Sequence, residues 1–370
     1  MSGCCNEQRE ESASARPTSD RGRPRRLGTV AHVSPTPGDG ESAIPGLKEQ
    51  MGVLTMDRKQ YYRTLPESVG RDCLQANRLA IVGCGSVGSH LTDSVGRLGL
   101  PLVLVDLPGE RLEEHNIIRH VLGYPWHEKL KIEGIRAHIG DLNPECPVTL
   151  VEADVVQQPD ILRDALRGCT HMACCTDNEP SRHATNQIAL SLGLPCAYGG
   201  VYQNGIGGEV FMARPGGACY ACLSGHLKRP VVPDSEDGPR VDYLNPETLE
   251  KEVVPYLNLD VCQIALLQAR VILGEMLQDI TPEQVLKGNF LLFGNRSYEG
   301  LFDCPYDHRV WSIPRNEACL VCGDADDNEH VSREAARIRA AAMEQRTSVL
   351  ALPWENADML AMTNLKGEGG

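Results

Sequence analysis

Hydrophobic and polar positions divide the chain into stretches of different character. Residues 1–45 carry Ser, Pro, Gly, Arg and Glu without apolar periodicity, and such a segment buries too little surface to offset the entropy of ordering it. A disordered N-terminal tail is predicted there. From Arg78 the pattern becomes regular: RLAIVG is a short apolar run closed by glycines, and SVGSHLTDSVGRLG after it has helical spacing. Apolar runs recur at PLVLVD, VTLVEADV, THMACCTD and LPCAYGGVY, separated by helical stretches at 128–140, 157–167 and 180–192. Nearly continuous apolar strands alternating with helices predict an α/β fold, a doubly wound, Rossmann-like and mostly parallel sheet covered on both faces.

Beyond residue 203 the alternation changes. NGIGGEVFMARPGGACY carries no helix and predicts an antiparallel extension of the sheet. Residues 226–257 are charged and Pro-rich, as a long surface crossover connection would be. An amphipathic helix is expected over 260–277, strands at NFLLFGN and HRVWSI, and a short polar helix at 333–346 before a Gly-ended tail. The predicted organisation is a tail (1–45), one main domain (46–330) and a short helix with a flexible end (331–370).

Composition changes this picture in three respects. Thirty-six basic against fifty acidic residues leave a net charge of −14, a field that repels polyanions and argues against nucleic acid or an anionic membrane as partner. No apolar run is long enough to span a bilayer and the N-terminus lacks an apolar export block, so a cytoplasmic location is expected. Fifteen cysteines in such a chain read as thiols or metal ligands rather than as a disulfide framework.

The candidate chemistry begins at Gly83-Cys84-Gly85-Ser86-Val87-Gly88, a G-x-G-x-x-G directly after a strand and opening a helix. The first glycine makes the turn, the second admits a phosphate to the backbone, and the third allows close helix packing. Asp106, at the end of the next strand, stands where an acid can hydrogen-bond ribose hydroxyls. These features predict a nucleotide, either NAD or ATP. Asn116 and Arg119 follow on an exposed stretch, and Lys129 and Lys131 open a helix. Cations after the ribose-binding acid suit a triphosphate better than a nicotinamide. Asp177 ends a buried strand, where it could hold Mg2+ or cap the helix that starts near Glu179.

Cys219-x-x-Cys222 and Cys319-x-x-Cys322 are two knuckles that together supply the four thiolates of a closed Zn2+ site. Two unrelated redox or buried pairs are the alternative. Cys262 lies near a helix N-terminus, which can activate a thiol, but its apolar setting in VCQIALL favours a buried structural role.

Taken in order, these residues resemble the adenylyltransferases that activate ubiquitin-like proteins, the group of ThiF, MoeB and HesA and of the ubiquitin-activating enzymes, from about Tyr61 to Cys322. The resemblance rests on Gly83, Gly85 and Gly88, Asp106, the N-x-x-R of Asn116 and Arg119, Lys131, and the D-N of Asp177 and Asn178. YYRTL around Arg63 resembles the motif that supplies an arginine across a homodimer interface. Two departures stand out: the usual D-x-D is here D-L-P-G-E, ending at Glu110, and the usual N-x-x-R-Q ends in His120. The resemblance implies adenylation, with ATP and Mg2+, of the C-terminal carboxylate of a ubiquitin-like or sulfur-carrier protein ending in Gly-Gly, with release of pyrophosphate. In that role Asp106 holds ribose, Arg119 and Lys131 the phosphates, and Asp177 magnesium. A peptide or other small carboxylate is an alternative substrate; an NAD-dependent oxidoreductase and a non-catalytic binding protein of the same fold are alternative classes.

Overall fold

The computed structural model describes residues 56–66, 69–227 and 257–323. The expectations for residues 1–45, for 228–256 within the crossover connection, and for 331–370 lie outside the described residues. Within them no helix is long and apolar enough to cross a membrane.

Eight strands form one sheet: β1 (Leu79–Val82), β2 (Leu102–Asp106), β3 (Val148–Glu152), β4 (His171–Cys174), β5 (Cys196–Val201), β6 (Gly207–Ala213), β7 (Phe290–Gly294) and β8 (His308–Trp311). Their spatial order is β3-β2-β1-β4-β5-β6-β7-β8. The first five run parallel and β6 to β8 pair antiparallel, the doubly wound sheet with the antiparallel extension that the patterning predicts. Strand order reverses between β1 and β4, and the carboxyl ends of strands at such a reversal leave a crevice where open α/β sheets bind ligands.

Nine α-helices accompany the strands among the described residues: α1 (Arg58–Tyr61), α2 (Arg71–Gln75), α3 (Ser86–Gly96), α4 (Glu114–Ile117), α5 (Lys131–Leu142), α6 (Pro159–Ala165), α7 (Glu179–Leu192), α8 (Tyr220–His226) and α9 (Asn258–Met276). Because successive strand residues point to opposite faces, β1 sends Leu79 and Ile81 to one core and Ala80 and Val82 to the other. The first core is closed by Leu91 of α3, Ile135 of α5 and Ile264 of α9; the second by Leu162 of α6, Ile188 of α7 and Leu223 of α8. Every residue of β1 and β4 is buried, whereas the edge strand β3 is only partly so. At the sheet edge β3 is packed on both faces, Val151 on one core and Val148 and Leu150 on the other, but less completely than the central strands.

Candidate functional site

The glycine loop joins β1 to α3 at the strand-order reversal. Gly83 adopts φ +91° and its N–H donates to the Val105 carbonyl at 2.9 Å. A side chain there would be strained and would press on the Cys175 backbone at 3.1 Å. At Gly88 a Cβ would collide with the Gly83 carbonyl oxygen, so α3 can close on the loop only without a side chain. A Cβ at Gly85, by contrast, would meet no atom within 4 Å. Gly85 is also the N-cap of α3 and provides no side-chain cap, which leaves first-turn N–H groups for an anion to accept from.

Three charged groups face this loop. Asp106 ends β2 with its side chain 10% exposed, yet its Oδ2 is buried without a hydrogen-bond partner. Burial raises its pKa, opposed by the Lys131 ammonium. Lys131, at the start of α5, is buried; its Nζ donates to Glu110 Oε1 at 3.0 Å and lies 3.9 Å from Asp106 Oδ2. Burial works against its charge, but Asp106 and Glu110 outweigh that and raise its pKa, so it stays an ammonium. Glu110 thus reaches the site despite the longer D-L-P-G-E spacing. Its backbone helps, because the Lys131 N–H donates to the Glu110 carbonyl at 3.0 Å.

Asn116 and Arg119 are half-buried on and just after α4, which corrects the exposed stretch expected for them; the short helix folds this segment back toward the loop. The Asn116 Oδ1 accepts from Arg119 Nη2 at 2.9 Å. Lys129 is exposed and stacks its ammonium over Trp126 at 5.5 Å, so of the two lysines only Lys131 belongs to the site.

The following residue, His120, supports the glycine loop, a role the sequence alone does not give it. It is buried: Nδ1 accepts from the Leu122 N–H at 3.0 Å, and Nε2 is 3.1 Å from the Cys84 carbonyl. With Nδ1 accepting, Nε2 must carry the proton and donate, which fixes a neutral tautomer. Burial lowers its pKa to about 4. His120 therefore ties down the carbonyl between Gly83 and Gly85. The departure from N-x-x-R-Q was the available signal.

Across the reversal, β4 leads to Cys175, Thr176 and Asp177. Asp177 is exposed, and its carboxylate has no hydrogen-bond or ion-pair partner among the described residues. The helix cap is not Asp177 but its neighbour: Asn178 Oδ1 accepts from the Ser181 N–H at 2.9 Å, so the helix start is satisfied without the exposed Asp177. Arg63 stands apart. It is exposed in the turn after α1, a segment pinned where Tyr61 Oη donates to the Leu142 carbonyl at 2.9 Å and Tyr62 Oη accepts from Asn143 Nδ2 at 2.9 Å. Those contacts sit at the C-terminal ends of α3 and α5, about 16 Å of helix from the glycine loop.

The four knuckle cysteines converge, all Sγ atoms lying within 4.8 Å of one another. Sγ separations are 3.9 Å for Cys219–Cys222, 3.8 Å for Cys219–Cys319 and 3.5 Å for Cys222–Cys322. A tetrahedral zinc with Zn–S of about 2.3 Å requires edges of about 3.8 Å, so the thiols fit that ion. The Asn316 N–H points at Cys222 Sγ at 3.5 Å and would support a thiolate. Cys262 is half-buried on α9 and burial raises its pKa, as expected of a structural cysteine rather than of a nucleophile.

A family model described as "ThiF family" matches residues 59–305. The SAMP-activating enzyme E1 of Haloferax volcanii is 30% identical over 46% of this chain and 61% of its own length. The sulfur carrier protein adenylyltransferase of Thermus thermophilus is 26% identical over 73% of this chain and 91% of its own. The chain thus spans about three fifths of the first relative and nearly all of the second. Among solved structures, E. coli MccB with ATP superposes at a TM-score of 0.51 and 19% identity, over 68% of each chain, a likeness of fold.

Proposed function

Because the chain belongs to the ThiF family, we propose that it adenylates, with ATP and magnesium, the C-terminal carboxylate of a ubiquitin-like or sulfur-carrier protein. A carboxylate oxygen of the partner attacks the α-phosphorus, the bond from that phosphorus to the β-phosphate bridging oxygen breaks, and pyrophosphate leaves with the electron pair. No proton need move. The work left to the protein is positioning and neutralisation of phosphate charge.

Each residue has a place in this reading. Gly85 and the first turn of α3 receive phosphate oxygens, Asp106 accepts from ribose hydroxyls, and Lys131 and Arg119 face the phosphates. Asp177 would hold magnesium, which supplies positive charge to the departing pyrophosphate. Asn178 keeps the turn that carries Asp177. Arg63 is assigned to the site of a second copy, since about 16 Å of helix separates it from its own, and a homodimer follows. The Cys219, Cys222, Cys319 and Cys322 thiolates would hold structural zinc. The proposed location is cytoplasmic.

The observation that carries the proposal is Asp106 Oδ2, a buried carboxylate oxygen without a hydrogen-bond partner, 3.9 Å from a buried ammonium, at the reversal of strand order. An unpaired buried acceptor is costly unless a ligand completes it. The same acid would suit NAD, but a lysine held charged at its side and an exposed Asp177, without a hydrogen-bond or ion-pair partner among the described residues, favour a triphosphate with its metal.

The test is ATP–pyrophosphate exchange with a panel of small proteins ending in Gly-Gly. Exchange that requires one of them and falls at least about a hundredfold in Asp177→Ala supports the reading. Undiminished exchange in Asp177→Ala removes the assignment of that residue, and exchange with none of the panel moves the substrate to another carboxylate.

A further inference from the structure

We propose that Tyr220, inside the first cysteine knuckle, is a positioning residue that couples the thiolate cluster to Asp177. The inference rests on the assignment of Asp177 above, and it concerns a connection rather than a new ligand.

Tyr220 is fully buried between Cys219 and Cys222 and touches one face of α7 over two turns. Its N–H donates to Asn186 Oδ1 at 2.9 Å, and its hydroxyl donates to Glu179 Oε1 at 2.9 Å. Arg182 Nη1 donates to the same hydroxyl at 3.3 Å and to Glu179 Oε1 at 3.1 Å. The ring meets His183 edge-on at 5.4 Å between centroids and stacks on Tyr198 of β5 at 4.5 Å. Positions 179, 182, 183 and 186 are spaced i, i+3, i+4 and i+7, so one side chain and one amide grip a single helical stripe.

The grip extends to the turn before the helix. Arg182 Nε donates to the Thr176 carbonyl at 3.1 Å, one residue before Asp177, while Asn178 caps α7 one residue after it. Asp177 is therefore held from both sides, and one of those holds runs through Tyr220. The position of Tyr220 depends in turn on the knuckle: Cys219 is the N-cap of α8, and Cys219 and Cys222 are within thiolate distance of Cys319 and Cys322. When the four thiols share an ion, the first turn of α8 and its tyrosine are fixed against α7. When they do not, the first turn of α8 loses that anchor, and the hold on Thr176 loosens.

Hydrogen–deuterium exchange, which needs no turnover, reads the coupling whether or not the adenylation assignment stands. Removing zinc from the full-length protein with a chelator should speed amide exchange in residues 176–186 at least about tenfold while α3 and α5 stay within about twofold. Unchanged exchange in 176–186, or equal acceleration throughout, overturns the coupling. The second arm is Tyr220→Phe, which keeps the ring and loses the hydroxyl. With zinc content unchanged, it should bind ATP alone as the parent does but bind Mn2+ in the presence of ATP, read by electron paramagnetic resonance, about fivefold more weakly, the equivalent of one hydrogen bond. Mn2+ affinity equal to that of the parent overturns the role of the hydroxyl.

Discussion

The nucleotide crevice and the cysteine cluster are built on opposite terms. Around the glycine loop the fold leaves groups unfinished: Asp106 Oδ2 has no hydrogen-bond partner, Gly85 faces open space and α3 has no side-chain cap. At the knuckles the four thiols instead converge on one another, at separations that fit the corners of one tetrahedron. An open set binds a ligand that must come and go; a closed set suits an ion that stays. The contrast divides by sheet face as well. The loop, Lys131 and His120 lie with the core closed by α3, α5 and α9, whereas the knuckles belong to the core closed by α6, α7 and α8. Damage at the knuckles should therefore leave the glycine loop, Lys131 and His120 readable and reach the crevice only through the turn that carries Asp177.

The largest effect is expected from the closed set. Cys322→Ser should abolish stoichiometric zinc, measured by metal analysis, and lower the thermal midpoint sharply, because structural zinc supplies folding free energy outright, about 10 kcal/mol or more in isolated zinc-finger peptides. ATP affinity at the opposite face should fall far less. If zinc content survives, the ligand set is wrong; if ATP binding collapses in parallel with folding, the two regions are not separable.

Asp106→Ala is the corresponding change in the open set. It removes the ribose acceptor and leaves the buried Lys131 with Glu110 alone. Loss of charge-assisted hydrogen bonds worth about 1.5–3 kcal/mol should weaken ATP roughly ten- to hundredfold in a calorimetric titration, with zinc content unchanged. Affinity within twofold of the parent would show that Asp106 does not face the ribose. Asp106→Asn, which keeps an acceptor, should lie between the two.

What was legible in the sequence follows the range of each interaction. Gly83, Gly85 and Gly88, Asp106 and the two knuckles are local patterns whose chemistry is set by spacing, and the sheet with its antiparallel extension followed from runs and periods. The rest depends on contacts between distant positions. Glu110 meets Lys131 only because a loop folds back onto the first residue of α5. Asn178 rather than Asp177 caps α7, a distinction of one residue that neighbouring acids and amides do not announce. Arg182 and Tyr220 look ordinary in the chain, and their joint hold on Thr176 exists only once α8 packs on α7. Asn116 and Arg119 are half-buried rather than exposed because α4, only four residues long and without a periodicity to read, brings their side chains together.

The smallest effect concerns His120, whose buried ring joins the open site to the stability of the whole fold. Its pKa falls from the usual 6.5 to about 4 because burial disfavours the charged ring, so between those values the unfolded chain binds a proton that the folded chain refuses. Stability from this residue is then complete above about pH 6.5, declines as the pH drops, and is gone below about pH 4. At pH 5 the loss amounts to about 2 kcal/mol. His171, at the amino end of β4, is also lowered to about 4 by burial and should contribute similarly, so the parent loses stability from both. His120→Gln cannot titrate, yet its amide can still donate to the Cys84 carbonyl. Urea midpoints for parent and variant at pH 5 and pH 7.5 should therefore differ in their acid loss by about 2 kcal/mol, while ATP affinity at pH 7.5 changes by less than about fivefold. An equal acid loss in the two proteins would mean that His120 is already charged at pH 5 in the folded state, where its Nδ1 could not accept from Leu122.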